Sequence, residues 1–244
     1  MRFHIAVATL LLAGCAASVP QLADVSGADA VLLGEQHDAV AQPALQRQWV
    51  AALAARGTLA ALTLEMAERG TSTAGLPRGA TEAQVQTALQ WNTQAWPWER
   101  YGPAIMEAVR AGAPVLGANL PRAEQQQAMR DASLDQLLPG PALKAQQQAI
   151  RLGHCELLPE SQIRPMTRVQ IARDRAMAQT IAGAVAPGKV VVLLAGAGHV
   201  DAELGVPQHL PGSVNVRPVV LPPEAGDRVD HCEALRKRMA PPVS

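Results

Sequence analysis

The 244-residue chain carries 21 basic and 21 acidic side chains, is 48% apolar and only 2% aromatic. Zero formal charge removes the usual electrostatic case for a nucleic-acid binder, which needs a clustered positive surface. A 17% charged fraction argues against wholesale disorder, and no apolar run reaches the roughly 20 residues of a spanning helix. The length suits one large α/β domain or two small ones, burying roughly 70% of the unfolded surface.

The chain opens with Met1-Arg2-Phe3-His4 and the apolar stretch Ile5 to Ala13, the layout of a secretory signal over residues 1–14. Leu12-Ala13-Gly14-Cys15 resembles the lipobox of bacterial lipoproteins, in which the cysteine becomes the lipidated first residue. Acylation of Cys15 predicts stable membrane anchoring, because several chains hold where one binds marginally. Ala16 and Ala17 follow, so the Asp that retains such proteins at the inner membrane is absent. The expected address is the cell envelope, at the outer membrane. Cys155 and Cys232 remain, an even number in an oxidising compartment, so either a disulfide or two unpaired thiols is expected.

After a polar tether over 15–27, apolar runs alternate with amphipathic stretches over 28–222. Runs at 30–33, 59–64, 114–118 and 189–195 predict strands covered on both faces, as in a parallel sheet. A last run, Val216 to Leu221, contains Pro218 and predicts an edge strand. Residues 42–56 place Leu45, Trp49, Ala52 and Leu53 on one helical stripe, with Gly57 beyond the end. Thr81-Glu82-Ala83-Gln84 is a capping box opening a helix to about Asn92. Pro103 predicts the start of another that closes at Gly112. Segment 68–80 reads as an exposed loop. Two Gln-rich helices are expected within 121–150 and a long one over 165–184, forming a helical insertion at about 120–188 before the last long strand. Residues 223–244 read as a C-terminal tail. The fold class is therefore α/β, a mainly parallel sheet flanked by helices.

Ligands of open parallel sheets bind beyond the carboxyl ends of the strands. Four expected strands end in polar groups: Glu35 with His37, Glu65, Asn119, and Gly196 leading to His199. On one rim, Glu35, His37, Glu65 and His199 supply the ligand types of a divalent metal site, or an acid/base set. On the long helix, Gln170, Asp174, Met177 and Ile181 share a stripe, which predicts a hydrogen-bonding clamp against the sheet. Arg173, Arg168 and Arg122 are candidate partners for Asp174.

The aromatics are concentrated rather than scattered. With Phe3 lost, Trp91, Trp96, Trp98 and Tyr101 crowd one stretch, leaving Trp49 as the other. Either this is a hydrophobic plug, or flat faces, a phenol and nearby Arg100 and Arg122 serve a flat anionic ligand such as haem. No Cys-x-x-Cys-His is present, so such a haem is held non-covalently.

Six stretches occur in a telling order: Gly34-Glu35-Gln36-His37-Asp38; Leu64-Glu65-Met66; Trp96-Pro97-Trp98-Glu99-Arg100-Tyr101-Gly102-Pro103; Ala118-Asn119-Leu120-Pro121-Arg122; Gln170 with Asp174-Arg175-Ala176-Met177-Ala178; and Ala195-Gly196-Ala197-Gly198-His199. Over residues 28–211 the chain resembles the ChaN family of iron-regulated, haem-binding lipoproteins. The wider superfamily includes the Tiki proteases and erythromycin esterases. The resemblance implies an α/β fold, a lipid anchor, haem or iron acquisition, and haem at a homodimer interface with tyrosine ligation and a histidine nearby. Tyr101, the sole tyrosine, is the candidate phenolate; His154 and His209 are alternatives, and Trp96, Trp98, Arg100 and Arg122 are candidate haem contacts. The alternative function is a metal-dependent hydrolase using Glu35, His37, Glu65 and His199.

Overall fold

The structure, a computed structural model, describes residues 25–222 and 231–239. The expected signal peptide, lipidated Cys15 and most of the tether lie outside the described residues.

Five strands form one all-parallel sheet: β1 (Ala30–Glu35), β2 (Leu59–Glu68), β3 (Val115–Asn119), β4 (Val190–Gly196) and β5 (Val216–Val220), in the order β3-β2-β4-β1-β5. The apolar runs are continuous because both faces are covered. Val31, Leu33, Leu62, Leu64, Val192 and Leu194 pack under α1 (Gln42–Ala55) and α3 (Trp98–Ala111) through Trp49, Leu53, Ile105 and Val109. Ala30, Leu32, Val191 and Leu193 meet Met177, Ala178 and Ile181 of α6 (Glu160–Ala184) on the other face. At roughly 1.5–3 kcal/mol per buried aliphatic side chain, these two layers dominate the stability. β5 is an edge strand carrying Pro218, as expected.

Prolines misplace two helix starts. α3 opens at Trp98 and α6 at Glu160, with Pro103 and Pro165 inside, while Pro97 and Pro159 hold the N-cap positions. Each internal proline lies close enough to the start that it forfeits one backbone bond, which the long apolar face outweighs. The capping box at Thr81 forms, but α2 (Glu82–Ala88) ends early, with Gln90 at a left-handed φ of 49°. α3 ends at Gly112 in the left-handed region, φ 79°, as its glycine suggests.

The long excursion is smaller than a 120–188 insertion, because α6 is the crossover helix covering the sheet. What is added is α4 (Arg122–Arg130), a 3-10 turn (Ala132–Gln136) and α5 (Gly140–Gly153). These bury Leu120, Ala128, Leu134 and Leu138 against Val169, Ile171, Ala172 and Ala176.

Segment 68–80 is not simply an exposed loop. Thr71 and Thr73 are buried, and Ser72 bridges to Leu116. The chain returns so close to β3 that a Cβ on Gly117 would overlap the Glu68 carbonyl oxygen and the Thr71 hydroxyl. Cys155 and Cys232 are joined across 77 residues, fastening α7 (His231–Met239) to the turn beyond α5. Among the described residues no helix is long and apolar enough to cross a membrane.

Candidate functional site

The parallel register sets Glu35, the last residue of β1, opposite Gly196, the last residue of β4. β2 runs beside β4 up to Leu64↔Leu194, so Glu65 emerges at the same lip. His199 follows on a 3-10 turn (Ala197–Val200) packed against β1. Glu35, His37, Glu65 and His199 are therefore brought together, as the strand ends predict, and Asn119 joins them by donating its side-chain amide to the Glu65 carbonyl.

Two buried carboxylates organise the lip. Glu35, 1% exposed, accepts the Tyr101 hydroxyl at 2.5 Å and the Gln46 side-chain amide, and lies 2.7 Å from His37 Nδ1. Glu65, 2% exposed, accepts Arg173 Nη2 at 2.6 Å and the Gly196 backbone N–H at 2.7 Å. His199 Nε2 is 3.3 Å from Glu65, and its Nδ1 is 2.5 Å from Asp174 Oδ1.

The electrostatics follow from this pairing. Burial would raise the Glu65 carboxyl, but the His199 imidazolium, then Arg173 and His37, hold it well below the usual carboxylate range. Burial would lower His199, yet Glu65 and then Asp174 push it up to about 9. Burial pushes the Asp174 carboxyl upward against the pull of His199. Burial, then Glu35, raises the Tyr101 phenol far above its ordinary range, so it stays a neutral donor. Burial tends to lower His37, but its bond to Glu35 and the charge of Glu65 leave it raised.

Two clefts flank Glu65. One, of about 560 Å³, is lined by Glu35, His37, Arg173, Gly196 and His199. The other, of about 490 Å³, lies beside Met66, Leu89, Trp96, Leu120 and Arg122. Trp96 also meets His37 edge-on, with ring centroids 5.0 Å apart.

Asp174 is not paired to an arginine. Arg173 donates to Glu65 and Asn119, Arg168 to Asp135, and Arg122 is exposed. Its partner is His199, with the Gln170 amide 3.0 Å from the same ring nitrogen, so the expected helix–sheet clamp forms through histidine.

Tyr101 does not present a phenolate. It is 0% exposed and its hydroxyl is spent on Glu35. His154 ends α5, with Nδ1 2.9 Å from the Ile150 carbonyl, and His209 is half-buried on a separate 3-10 turn; neither lines either cleft. Trp98 is buried, donating Nε1 to Glu82 at 2.7 Å, and Arg100 donates to the Ala39 carbonyl. Trp96 and Arg122 do share a cleft.

The divalent-metal reading of Glu35, His37, Glu65 and His199 finds no support. Among the described residues no group of three or more His, Cys, Asp or Glu side chains is arranged to hold a metal ion. Tyr101, Gln46, Arg173 and a backbone N–H already occupy carboxylate oxygens that a metal would need.

The residue missed in sequence is Gln46. Gln42 and Gln46 lie one turn apart on α1 and both are buried, with Trp49, Val50 and Leu53, a face rotated from the Leu45 stripe. Gln42 accepts the Gln36 N–H and donates to the Pro222 carbonyl. Two amides on an otherwise apolar helix face were the available signal.

Residues 21–210 match the family described as haem-binding uptake, Tiki superfamily, ChaN. Among solved structures, one of cofacial heme binding to ChaN of Campylobacter jejuni superposes with a TM-score of 0.63 at 24% identity, covering 82% of this chain and 84% of that one. The type III effector HopBA1 is more distant, with a TM-score of 0.36 at 18% identity over 70% of this chain and 67% of its own. No curated protein matches the chain. The family match spans four of the five strands, both clefts and the helices that cover them, and the chain belongs to the ChaN family of haem-binding uptake proteins.

Proposed function

We propose that this chain is a lipid-anchored haem-binding protein of haem and iron uptake, held at the outer membrane through Cys15 and working as a homodimer. The observation that carries the reading is family membership over residues 21–210. The Campylobacter jejuni relative binds heme cofacially, an arrangement that suits two copies facing each other. The anchor rests on Leu12-Ala13-Gly14-Cys15.

The residues fit a flat anionic ligand but not phenolate ligation. The sole tyrosine is sealed in the core under Glu35, whereas an indole, a guanidinium and a half-exposed imidazole stand at the strand ends. Haem, when bound, supplies a redox-active iron; the chain supplies a seat, a counter-charge and shelter from water. Titration of the full chain with haemin tests this: a Soret band that saturates is expected, and no spectral change in either redox state would refute it. Palmitate labelling that persists in Cys15→Ser would refute the anchor.

One observation favours a second reading, hydrolysis. The His37 side chain is 41% exposed and backed at 2.7 Å by a buried carboxylate, the pairing of a general base with its orienting acid. A screen of p-nitrophenyl esters and peptides tests it, with turnover expected to vanish in His37→Ala.

A further inference from the structure

The chain joins the fold at the end of the sheet opposite the two clefts. All five strands run parallel, so their first residues share one face of the domain, and the lip with Glu35 and Glu65 lies at the other. The described chain enters at Val25 and reaches β1 at Ala30. Nine residues separate Cys15 from Val25, a reach of at most about 35 Å when fully extended. β1 alone is about 20 Å long. Gln170 and Asp174 meet His199 at the lip, so the first ten residues of α6 project past it. Bringing the lip to a bilayer would stretch the tether along the whole domain. Resting the opposite face there leaves slack.

That opposite face is cationic. Arg56 follows α1, Arg110 lies in the last turn of α3, and Lys189 precedes β4. The Arg78 guanidinium lies over Gly112 at the end of α3, and Arg217 is the second residue of β5. All five are exposed, and among the described residues none pairs with a carboxylate. The acids at this end are engaged: Asp29 accepts the Asn215 backbone N–H, and Glu107 accepts Arg47. Helix macrodipoles account for cations at the C-terminal turns, Arg56 and Arg110, but not for Lys189 on a turn or Arg217 on a strand. Arg56 and Lys189 flank a cleft of about 620 Å³ whose wall includes the entering chain, Ser26 to Asp29. Cations spread over roughly 20 Å of adjacent strand starts match a layer of headgroups better than one small anion.

We propose that the face formed by the strands' first residues docks on an anionic phospholipid bilayer through Arg56, Arg78, Arg110, Lys189 and Arg217. This rests on the anchor at Cys15 and adds to it the charge of the partner surface and the orientation of the domain. Glu35, Glu65 and both clefts are turned away from the bilayer. The acyl chains supply residence at the membrane, and the cations supply orientation, acting within about a Debye length of the surface.

The test uses the full chain, processed and acylated by the cell, in phosphatidylcholine vesicles with or without phosphatidylglycerol, doped with a headgroup-quencher lipid. A fluorophore is attached to one added cysteine, the native pair being held in the disulfide. Ala55→Cys places it at the end of α1 on the cationic face, and Thr93→Cys on the loop beside the lip; both positions are exposed. Flotation with the vesicles reports the anchor, and quenching reports the face. With phosphatidylglycerol present, quenching in Ala55→Cys is expected to exceed that in Thr93→Cys severalfold, and the contrast to fade in phosphatidylcholine alone or at high salt. Arg56→Gln, Lys189→Gln and Arg217→Gln are each expected to lower the docked-to-undocked ratio about fivefold, the scale for one basic side chain at an anionic surface. Arg130→Gln, an exposed arginine beside the Met129 carbonyl that Arg168 holds, is expected to change nothing. Chains that float but quench equally at both probes, keep the contrast without phosphatidylglycerol, or lose it equally in Arg130→Gln would overturn the docking face and leave the anchor intact. Chains that do not float would overturn both.

Discussion

Replacing Tyr101 by Phe separates a structural role from a ligand role. The ring is fully buried and its hydroxyl donates to Glu35 at 2.5 Å, beside the Gln46 amide and His37. Phenylalanine keeps the ring's packing, so little cavity penalty arises and the loss is the hydrogen bond to a charged acceptor. Such a bond is worth roughly 1.5–3 kcal/mol, and Glu35 retains two other partners, so a destabilisation of about 2 kcal/mol is expected. For a domain of this size that lowers Tm by about 4–8 °C. Urea unfolding of the variant at neutral pH reads the stability, and a haemin titration of the same sample reads binding. The expected outcome is a lower midpoint with haemin affinity and spectrum unchanged. Loss of the haem band with an unaltered midpoint would show that the phenol reaches iron, and the burial argument would fail.

Stability should peak on the mildly acidic side. His199 is raised in the fold from 6.5 to about 9, so its contribution is complete below pH 6.5 and disappears as pH climbs through 9; Glu65 is depressed from 4.5, so its contribution is present above pH 4.5 and lost on acidification. Urea midpoints between pH 4 and 10 should therefore fall on the alkaline side, and His199→Gln should flatten that limb. Reducing the Cys155–Cys232 bond, which spans 77 residues, should cost about 4 kcal/mol on the chain-entropy scale, seen as a lower urea midpoint in dithiothreitol that Cys155→Ser/Cys232→Ser reproduces without reductant. Gly117→Ala places a methyl into the Glu68 carbonyl, and backbone cannot retreat as a flexible side chain can, so about 3 kcal/mol should be lost; a midpoint within error of the parent would refute that reading of the β2–β3 return.

The sheet was legible because parallel strands buried on both faces read as unbroken apolar runs, and a polar residue after each run marks where the burial stops. That logic located Glu35, Glu65 and His199 at one lip without any knowledge of strand order. It failed at Pro103 and Pro165, where a proline near a helix start looks like the start itself; the helices begin one turn and a half earlier, after Pro97 and Pro159 at their N-cap positions. It also failed for Asp174, whose partner is remote in sequence. A search for the nearest arginine favours neighbours on the same helix, whereas the sheet delivers His199 from the far side of a crossover.

Gln46 shows why side-chain roles were harder to see than positions. From the strand-end pattern, Glu35 and His37 look like groups offered to a ligand, and the number of polar residues suggests a reactive surface. In the fold, Glu35 is reached by Gln46 and Tyr101 from two helices that belong to the apolar layer, and Glu65 is held by Arg173 and Gly196. A buried carboxylate is tolerable only with such partners, so each glutamate recruits its own set of donors and most of the polar residues answer to a glutamate before they answer to a ligand. Outside them lies a thinner, less committed layer: the indole of Trp96 and the exposed guanidinium of Arg122, whereas His37 is itself held between Glu35 and Glu65. Charge substitutions in the inner set should therefore register first as stability, whereas changes in the outer set should register as affinity.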